Sequence, residues 1–247
     1  MTFTITSKVK GWKAIIGVLV TLSNEDSIFR IREDGIFFKA NSVGNYMVSY
    51  FLWEKAKHTR YEISEEKEIC FKLQDFESMI NRFNKDDEIT IYQDEDASVL
   101  KMQTEKKEFQ MRLLNPLNSD LPNRLTSLQY TSSFDLPVVE FKEALEDVNI
   151  VSDFLEIKIE NGSLFLLSFR EENGKYKGIL KTGIEGSYQS FYSTEFVINI
   201  IHAIEKFTEN VTCSFENYPK PLYLKINIPE IGIIDYYIAA ILKGEGE

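Results

Sequence analysis

Cysteine is scarce in this chain. Cys70 and Cys213 are the only two among 247 residues, and neither has a Cys or His close by in sequence. A structural metal site needs several such ligands in clustered spacing, so no metal and no cofactor is expected. Each cysteine sits in a strand-like run, Glu68-Ile69-Cys70-Phe71 and Val211-Thr212-Cys213-Ser214-Phe215. There it reads as small apolar filler in a reducing compartment. Histidine is equally rare. His58 and His202 stand far apart, and although residue types alone leave a Ser–His–Asp set open, no nucleophile elbow is present. A Gly-rich phosphate loop is missing, since Lys243-Gly244-Glu245-Gly246-Glu247 is a tail with no helix after it. Calcium-loop spacing is missing too. The carboxylates cluster in turns, Asp86-Asp87-Glu88 and Asp94-Glu95-Asp96, where solvation accounts for them. No apolar run is long enough to cross a bilayer, which takes about 18 residues or more. The first residues, Met1-Thr2-Phe3-Thr4-Ile5-Thr6, lack the basic and apolar regions of a secretory signal. The expectation is an intracellular protein that is not an enzyme.

Positive charge is also in short supply. Lys and Arg total 28 against 39 Asp and Glu, a net charge of −11. A field of that sign repels nucleic acid, and ordinary DNA-binding domains are basic. Any DNA role must therefore rest on local basic patches, or on topology in place of tight contact. Hydrophobic residues make up 43%, enough for one large core or two of about 120 residues each.

Strand signals dominate. Phe29-Arg30-Ile31-Arg32 alternates into Glu33-Asp34-Gly35 and continues as Ile36-Phe37-Phe38-Lys39, a hairpin with Asp-Gly at its turn. Leu155 to Glu160 alternates strictly into Asn161-Gly162 and then Ser163 to Leu166. Leu222 to Ile228 turns through Pro229-Glu230-Ile231-Gly232 into Ile233 to Ile238. Further strands are expected at 88–93, 98–103 and 107–113. Four segments have helical spacing instead. The first carries Val9, Trp12, Ile15, Ile16, Leu19 and Leu22 on one face. The second carries Phe76, Met79, Ile80 and Phe83 after an Asp75 cap. In the third, Phe141, Ala144, Leu145 and Val148 follow Pro137. In the fourth, Phe196, Val197, Ile200, Ile201 and Ile204 follow a cap at Ser193 or Thr194.

The order of elements is informative. Strands, helix, strands, helix, strands occur once before residue 114 and again after residue 130. Leu114 to Leu128 lies between, with Asn115-Pro116 and Asp120-Leu121-Pro122, and reads as a linker. The chain is expected to be α+β, with two similar domains of antiparallel sheets and paired helices: 1–113, a connector 114–128, and 129–247.

This arrangement resembles the archaeal and eukaryotic sliding clamp, the proliferating cell nuclear antigen family, over essentially the whole chain. Lys220-Pro221-Leu222-Tyr223-Leu224 through Asp235-Tyr236-Tyr237-Ile238-Ala239-Ala240 looks like the family's closing pattern. Phe141 to Val148 with Val151-Ser152-Asp153 resembles the first helix of its second domain, and Asn24-Glu25 and Asp34-Gly35 also match. The resemblance implies a pseudo-sixfold ring of three subunits whose twelve helices line a hole around duplex DNA. Such a ring works with a clamp loader, DNA polymerase, flap endonuclease and DNA ligase. It is cytoplasmic in archaea and nuclear in eukaryotes. A ring holds DNA by topology, so contacts can be weak and sequence-independent. The alternative is a checkpoint-type clamp or protein-binding scaffold that never encircles DNA.

The resemblance also implies sites. DNA-facing candidates are Lys8, Lys10, Lys13, Arg82, Lys85, Lys142, His202 and Lys206. A groove for a short helical client turn would use Asn41, Asn45, Tyr46, Leu121, Leu125, Pro221, Tyr237, Ala239 and Ala240. Subunits would join through the edges Glu108 to Leu113 and Tyr176 to Lys181, with Phe109, Met111, Tyr176 and Ile179 at the joint. The chain departs from the pattern in three places. Ala40-Asn41 replaces Met-Asp, Ala240 stands where a proline is usual, and the third helix is acidic through Glu140, Glu143, Glu146 and Asp147. The acidic helix raises the expectation of a heterotrimer whose other subunits supply positive charge, against a homotrimer.

Overall fold

Asp34 and Gly35 close the first hairpin, between strands β2 (Asp26–Arg32) and β3 (Gly35–Asn41). Gly35 has φ +151°, and a Cβ there would strike the Trp53 carbonyl, so a side chain is excluded on both counts. The second hairpin joins β11 (Phe154–Glu160) to β12 (Ser163–Arg170). Its turn residues Asn161 and Gly162 have φ of 51° and 75°, the positive pair that matches strand twist.

The computed structural model describes residues 2–20, 26–41, 46–93, 98–115, 127–229 and 231–242, with the side chains of 26, 40 and 41 excepted. Leu22, Asn24-Glu25, Asn45, Asp94 to Asp96, Leu121, Leu125 and the Lys243–Glu247 tail lie outside them. The chain divides into two units, Met1–Leu121 with Ile228–Ile234, and Pro122–Asn227 with Asp235–Glu247. The hairpin tip 228–234 thus groups with the first unit despite its place in sequence.

In the first unit the elements run β1 (Phe3–Lys8), α1 (Val9–Val20), β2, β3, β4 (Met47–Glu54), a 3-10 turn (Lys55–Lys57), β5 (Arg60–Ile63), β6 (Lys67–Lys72), α2 (Leu73–Ile80), β7 (Glu88–Gln93), β8 (Val99–Gln103) and β9 (Glu108–Arg112). Two antiparallel sheets result, ordered β5-β1-β7-β8-β9 and β6-β2-β3-β4. In the second unit β10 (Ser133–Pro137), α3 (Val138–Val151), β11, β12, β13 (Gly174–Thr182), β14 (Tyr188–Ser193), α4 (Thr194–Ile204), β15 (Asn210–Ser214), β16 (Leu222–Ile228) and β17 (Gly232–Ile238) follow. Its sheets are ordered β10-β15-β16-β17 and β14-β11-β12-β13. Substituting each strand by its counterpart turns one set of orders into the other. The exception is β5, which pairs on β1 with Phe3 opposite Ile63 and has no equivalent beside β10.

The first core centres on Trp12. Its ring meets Trp53 at 4.9 Å, Phe76 at 5.7 Å and Phe29 at 6.2 Å, and its Nε1 donates to Ser7 Oγ at 2.9 Å. A buried indole N–H needs such a partner. In the second core Phe141, Leu145 and Val148 of α3 and Val197, Ile201 and Ile204 of α4 are fully buried with Leu155, Ile157, Leu164 and Leu166.

Two helix starts differ from expectation. Asp75 is not a cap, because α2 begins at Leu73 with Lys72 at the N-cap position and no side-chain cap bond. Asp75 sits in the first turn, where its charge still meets the positive end of the helix dipole. Ser193 holds the N-cap position of α4 without a cap bond. The Thr194 hydroxyl instead donates to the Ser152 carbonyl at 3.3 Å, because tertiary packing offers it a nearer acceptor.

Candidate nucleic-acid and partner interfaces

Helix α1 is apolar almost all round. Lys10, Lys13, Gly17 and Val20 alone escape full burial, spaced as one helical stripe. No acidic residue lies in its first turn. Backbone and side-chain bonds gather further cations about its start. Lys10 N–H donates to the Lys85 carbonyl at 3.0 Å. Lys13 Nζ donates to the carbonyls of Phe83 at 2.8 Å and Asn81 at 3.4 Å. Lys107 Nζ donates to the Arg82 carbonyl at 2.7 Å, and Lys8 lies 3.7 Å from Glu88. The first unit thus brings Lys10, Lys13, Arg82 and Lys85 together, with Lys107, which sequence reasoning missed. The ammonium of Lys13 also holds carbonyls just past the C-terminal end of α2, a role its spacing does not reveal.

The second unit treats its cations differently. Lys142 Nζ on α3 donates to Glu205 Oε2 at 2.7 Å and lies 3.8 Å from Glu146. His202 Nε2 on α4 lies 3.2 Å from the same Glu146. The Glu205 carboxylate holds the Lys142 ammonium above its ordinary value, and Lys142 pulls Glu205 below its own. Lys206 is exposed beside Glu205. The outward positions of α3 are Val139, Glu140, Glu143, Glu146, Asp147, Asn149 and Ile150, so this helix pair presents an acidic surface with its cations already paired.

The expected client residues divide between the units, and Asn45, Leu121 and Leu125 lie outside the described residues. Asn41 ends β3, with its backbone opposite Val48, and Tyr46 is exposed. In the second unit Tyr237 belongs to an aromatic ladder that Pro221 meets through its carbonyl, and Ala239 and Ala240 follow β17 in the chain. Tyr237 stacks on Tyr223 at 4.9 Å, and Tyr223 on Tyr130 at 5.7 Å. Tyr130 OH donates to the Pro221 carbonyl at 2.9 Å, and Tyr223 OH donates to Asp235 Oδ1 at 2.6 Å. Burial raises the Asp235 carboxyl, and the Tyr223 bond offsets part of that rise. Glu216 clips residues 129–131 in place. It accepts from Thr131 N–H at 2.8 Å and from Lys220 Nζ at 2.6 Å, and both bonds hold its carboxyl below the usual range. Tyr130, Tyr223, Asp235 and Glu216 were not among the expected site residues. Alternation along β16 and β17 puts Tyr223, Asp235 and Tyr237 on one face and was the signal available. Nothing local flagged Tyr130 or Glu216.

Each unit ends in an open edge strand. Among the described residues β9 pairs only with β8, and β13 only with β12. On β9, Met111 is buried in the core and Phe109 packs on Phe83 at 5.3 Å. Met111 thus leaves only backbone at the edge. On β13, Tyr176 lies against Asp147 and Ile179 is exposed. Among the described residues, no group of three or more His, Cys, Asp or Glu is placed to hold a metal ion.

No family model matches the chain. It is 26% identical over 238 residues to the DNA polymerase sliding clamp of Cenarchaeum symbiosum, covering 92% of this chain and 93% of that protein. Its fold matches that of A. fulgidus PCNA bound to the C-terminal region of FEN-1, with a TM-score of 0.84 at 16% identity over 98% of this chain and 100% of the other. It also matches a chain of the PCNA2-PCNA3 complex from Sulfolobus tokodaii, with a TM-score of 0.80 at 20% identity over 96% and 98%.

Proposed function

We propose, from the premise that the chain is a homologue of the archaeal DNA polymerase sliding clamps, that it is one subunit of a trimeric ring that encircles duplex DNA. The ring tethers polymerase, flap nuclease and ligase, and it carries out no catalysis of its own. The observation that carries this reading is the duplicated unit, which repeats one pair of sheets and one helix pair. Edges β9 and β13 are the joints between subunits, where pairing satisfies backbone groups that are otherwise left to water. The stripe of Lys10 and Lys13, with Arg82 and Lys85, meets DNA phosphates without reading sequence. Pro221, Tyr237 and the tyrosine ladder form one wall of the client groove.

The test is retention on nicked circular DNA in the presence of a clamp loader, followed by linearisation. A clamp stays on the circle and slides off the linear product. Retention that survives linearisation, or none under any subunit mixture, would sink the reading and leave a protein-binding scaffold. The acidic α3–α4 pair favours a second version, a ring completed by related subunits with more basic helices. Light scattering on the purified chain separates the two. A mass near three times 28.7 kDa means a homotrimer, and a smaller mass that becomes trimeric only with a sister subunit means a mixed ring. Ile179→Asp on β13 should lower the mass in either case.

A further inference from the structure

Sheet β14-β11-β12-β13 buries one face under α3, through contacts of that helix with β11, β12 and β13. The other face leaves large apolar side chains in water. Strand register lines them up. Phe169 on β12 is opposite Lys175 on β13, Leu167 is opposite Lys177, and Phe165 is opposite Ile179. Phe154 on β11 stands beside this row, its carbonyl bonded by Ser168 Oγ at 3.2 Å. Ile179 is 63% exposed, Phe169 48% and Phe154 47%. A contiguous patch of this kind marks an interaction surface more often than scattered apolar residues do.

The charges around the patch are sorted. Glu156 accepts from Gln189 Nε2 at 2.7 Å, and Glu160 pairs with Lys158 at 2.8 Å. The acids on this face therefore have partners already. Of the three β13 lysines, Lys181 donates to the Asp135 carbonyl at 2.7 Å, while Lys177 lies 4.3 Å from the Phe165 centroid, where it also helps hold Glu160 low, and Lys175 lies 5.1 Å from the Phe169 centroid. An ammonium held on a ring has shed part of its water and keeps its charge available to a carboxylate on the far side. In a chain of net charge −11, a cationic apolar strip is a local reversal of sign, and it selects a partner of opposite charge. Glu171 and Glu172 in the β12–β13 turn bound the strip at one end.

We propose that this outer face of the second unit docks an extended acidic segment of a partner protein. Its carboxylates bind Lys175 and Lys177, and its aromatic or aliphatic side chains pack on Phe154 and Phe169. The site is separate from the tyrosine ladder. It also stays open when the β13 edge is paired, because strands pair edge-on while side chains stand off the sheet.

The test is fluorescence anisotropy with a labelled peptide alternating Asp with Phe and Leu, titrated with the full chain. A counterpart with Lys in place of Asp serves as control. The acidic peptide should bind saturably and weaken with salt. The double variant Lys175→Ala, Lys177→Ala should raise its Kd about tenfold or more, and Phe169→Ser should do the same. Both changes are on the surface, and circular dichroism checks that each variant is folded. Equal binding of the basic peptide would mean unspecific apolar adhesion and would overturn the proposal. So would binding that both variants leave intact. If Phe169→Ser changes the mass of the assembly and leaves peptide binding alone, the face belongs to a neighbouring subunit and the proposal also falls. Retention on circular DNA reads the ring independently, so the failure of one reading is distinguishable from the failure of the other.

Discussion

Replacing His58 by leucine should remove much of the pH dependence of stability between about pH 6.5 and 4. His58 follows the 3-10 turn, with its ring 4.4 Å from Trp53 and 5.2 Å from Tyr61. Among the described residues neither ring nitrogen makes a hydrogen bond of good geometry, and the Trp53 backbone is the one polar group close enough to act on the ring. Burial therefore lowers the imidazole to about 4, against a weak opposing pull from the Trp53 backbone. The unfolded chain takes up its proton near pH 6.5, and the folded one refuses it until about 4. Stability from this group is thus fully present above pH 6.5 and is lost as pH falls through the window. The gap corresponds to about 3 kcal/mol, and partial solvent access reduces it to about 2. For a chain of this length that is a fall in Tm of roughly 4–8 °C. Glu62, Glu160, Glu205 and Glu216, all held low by their partners, act in the same direction but only below about pH 4.5. The comparison between pH 7 and 5 therefore leaves those four glutamates out, and the difference between the native and His58→Leu chains isolates the histidine. Calorimetry on the native and His58→Leu chains gives the two slopes. NMR gives the titration directly, because His202 is the one other imidazole and His202→Gln assigns the pair. A His58 resonance that titrates near pH 6.5, or an unchanged slope in His58→Leu, would refute the reasoning.

Three more outcomes follow from the same contacts. Lys13→Met removes the ammonium from the Asn81 and Phe83 carbonyls and should cost about 1 kcal/mol, read as a Tm fall of about 2–4 °C. If Lys13 acted on DNA alone, stability would not change. Glu216→Gln should lower stability by about 1 kcal/mol at neutral pH and flatten its acid limb. The native Glu216 term is present above the ordinary glutamate range and disappears as pH falls below it, and urea melts at pH 7 and pH 4 measure both. Glu143→Lys on α3 should strengthen DNA retention and steepen its log–log salt slope by about 0.9 per bound phosphate. An unchanged slope would place α3 away from the DNA.

The architecture was largely legible in the residues. Gly35 and the pair Asn161-Gly162 take positive backbone angles, so the two hairpins were written locally. The apolar periodicity of 9–19 and 141–148 set the faces of α1 and α3, and the repeated order of elements announced the duplication. β5 and its 3-10 turn were not legible, since Lys55 to Ile63 has no strong period and is held in place by β1 and by His58 between two rings. Residue type gave the candidate cations. It did not say which of them were already engaged. Lys13 reaches carbonyls nearly seventy residues away, and Lys142 meets a carboxylate on another helix.

Sequence by itself thus determined the class of fold, its duplication and the sign of the whole field. These depend on period, turn chemistry and composition, which are properties of neighbours along the chain. Tertiary structure alone decided that Lys10, Lys13, Arg82 and Lys85 of the first unit gather while Lys142 and His202 of the second meet carboxylates, that Tyr130 joins Tyr223 and Tyr237, and that apolar and basic residues share the outer face of β12 and β13. Those outcomes depend on distances between residues remote in sequence, and electrostatic and packing energies fall off over a few ångströms of space whatever the separation along the chain.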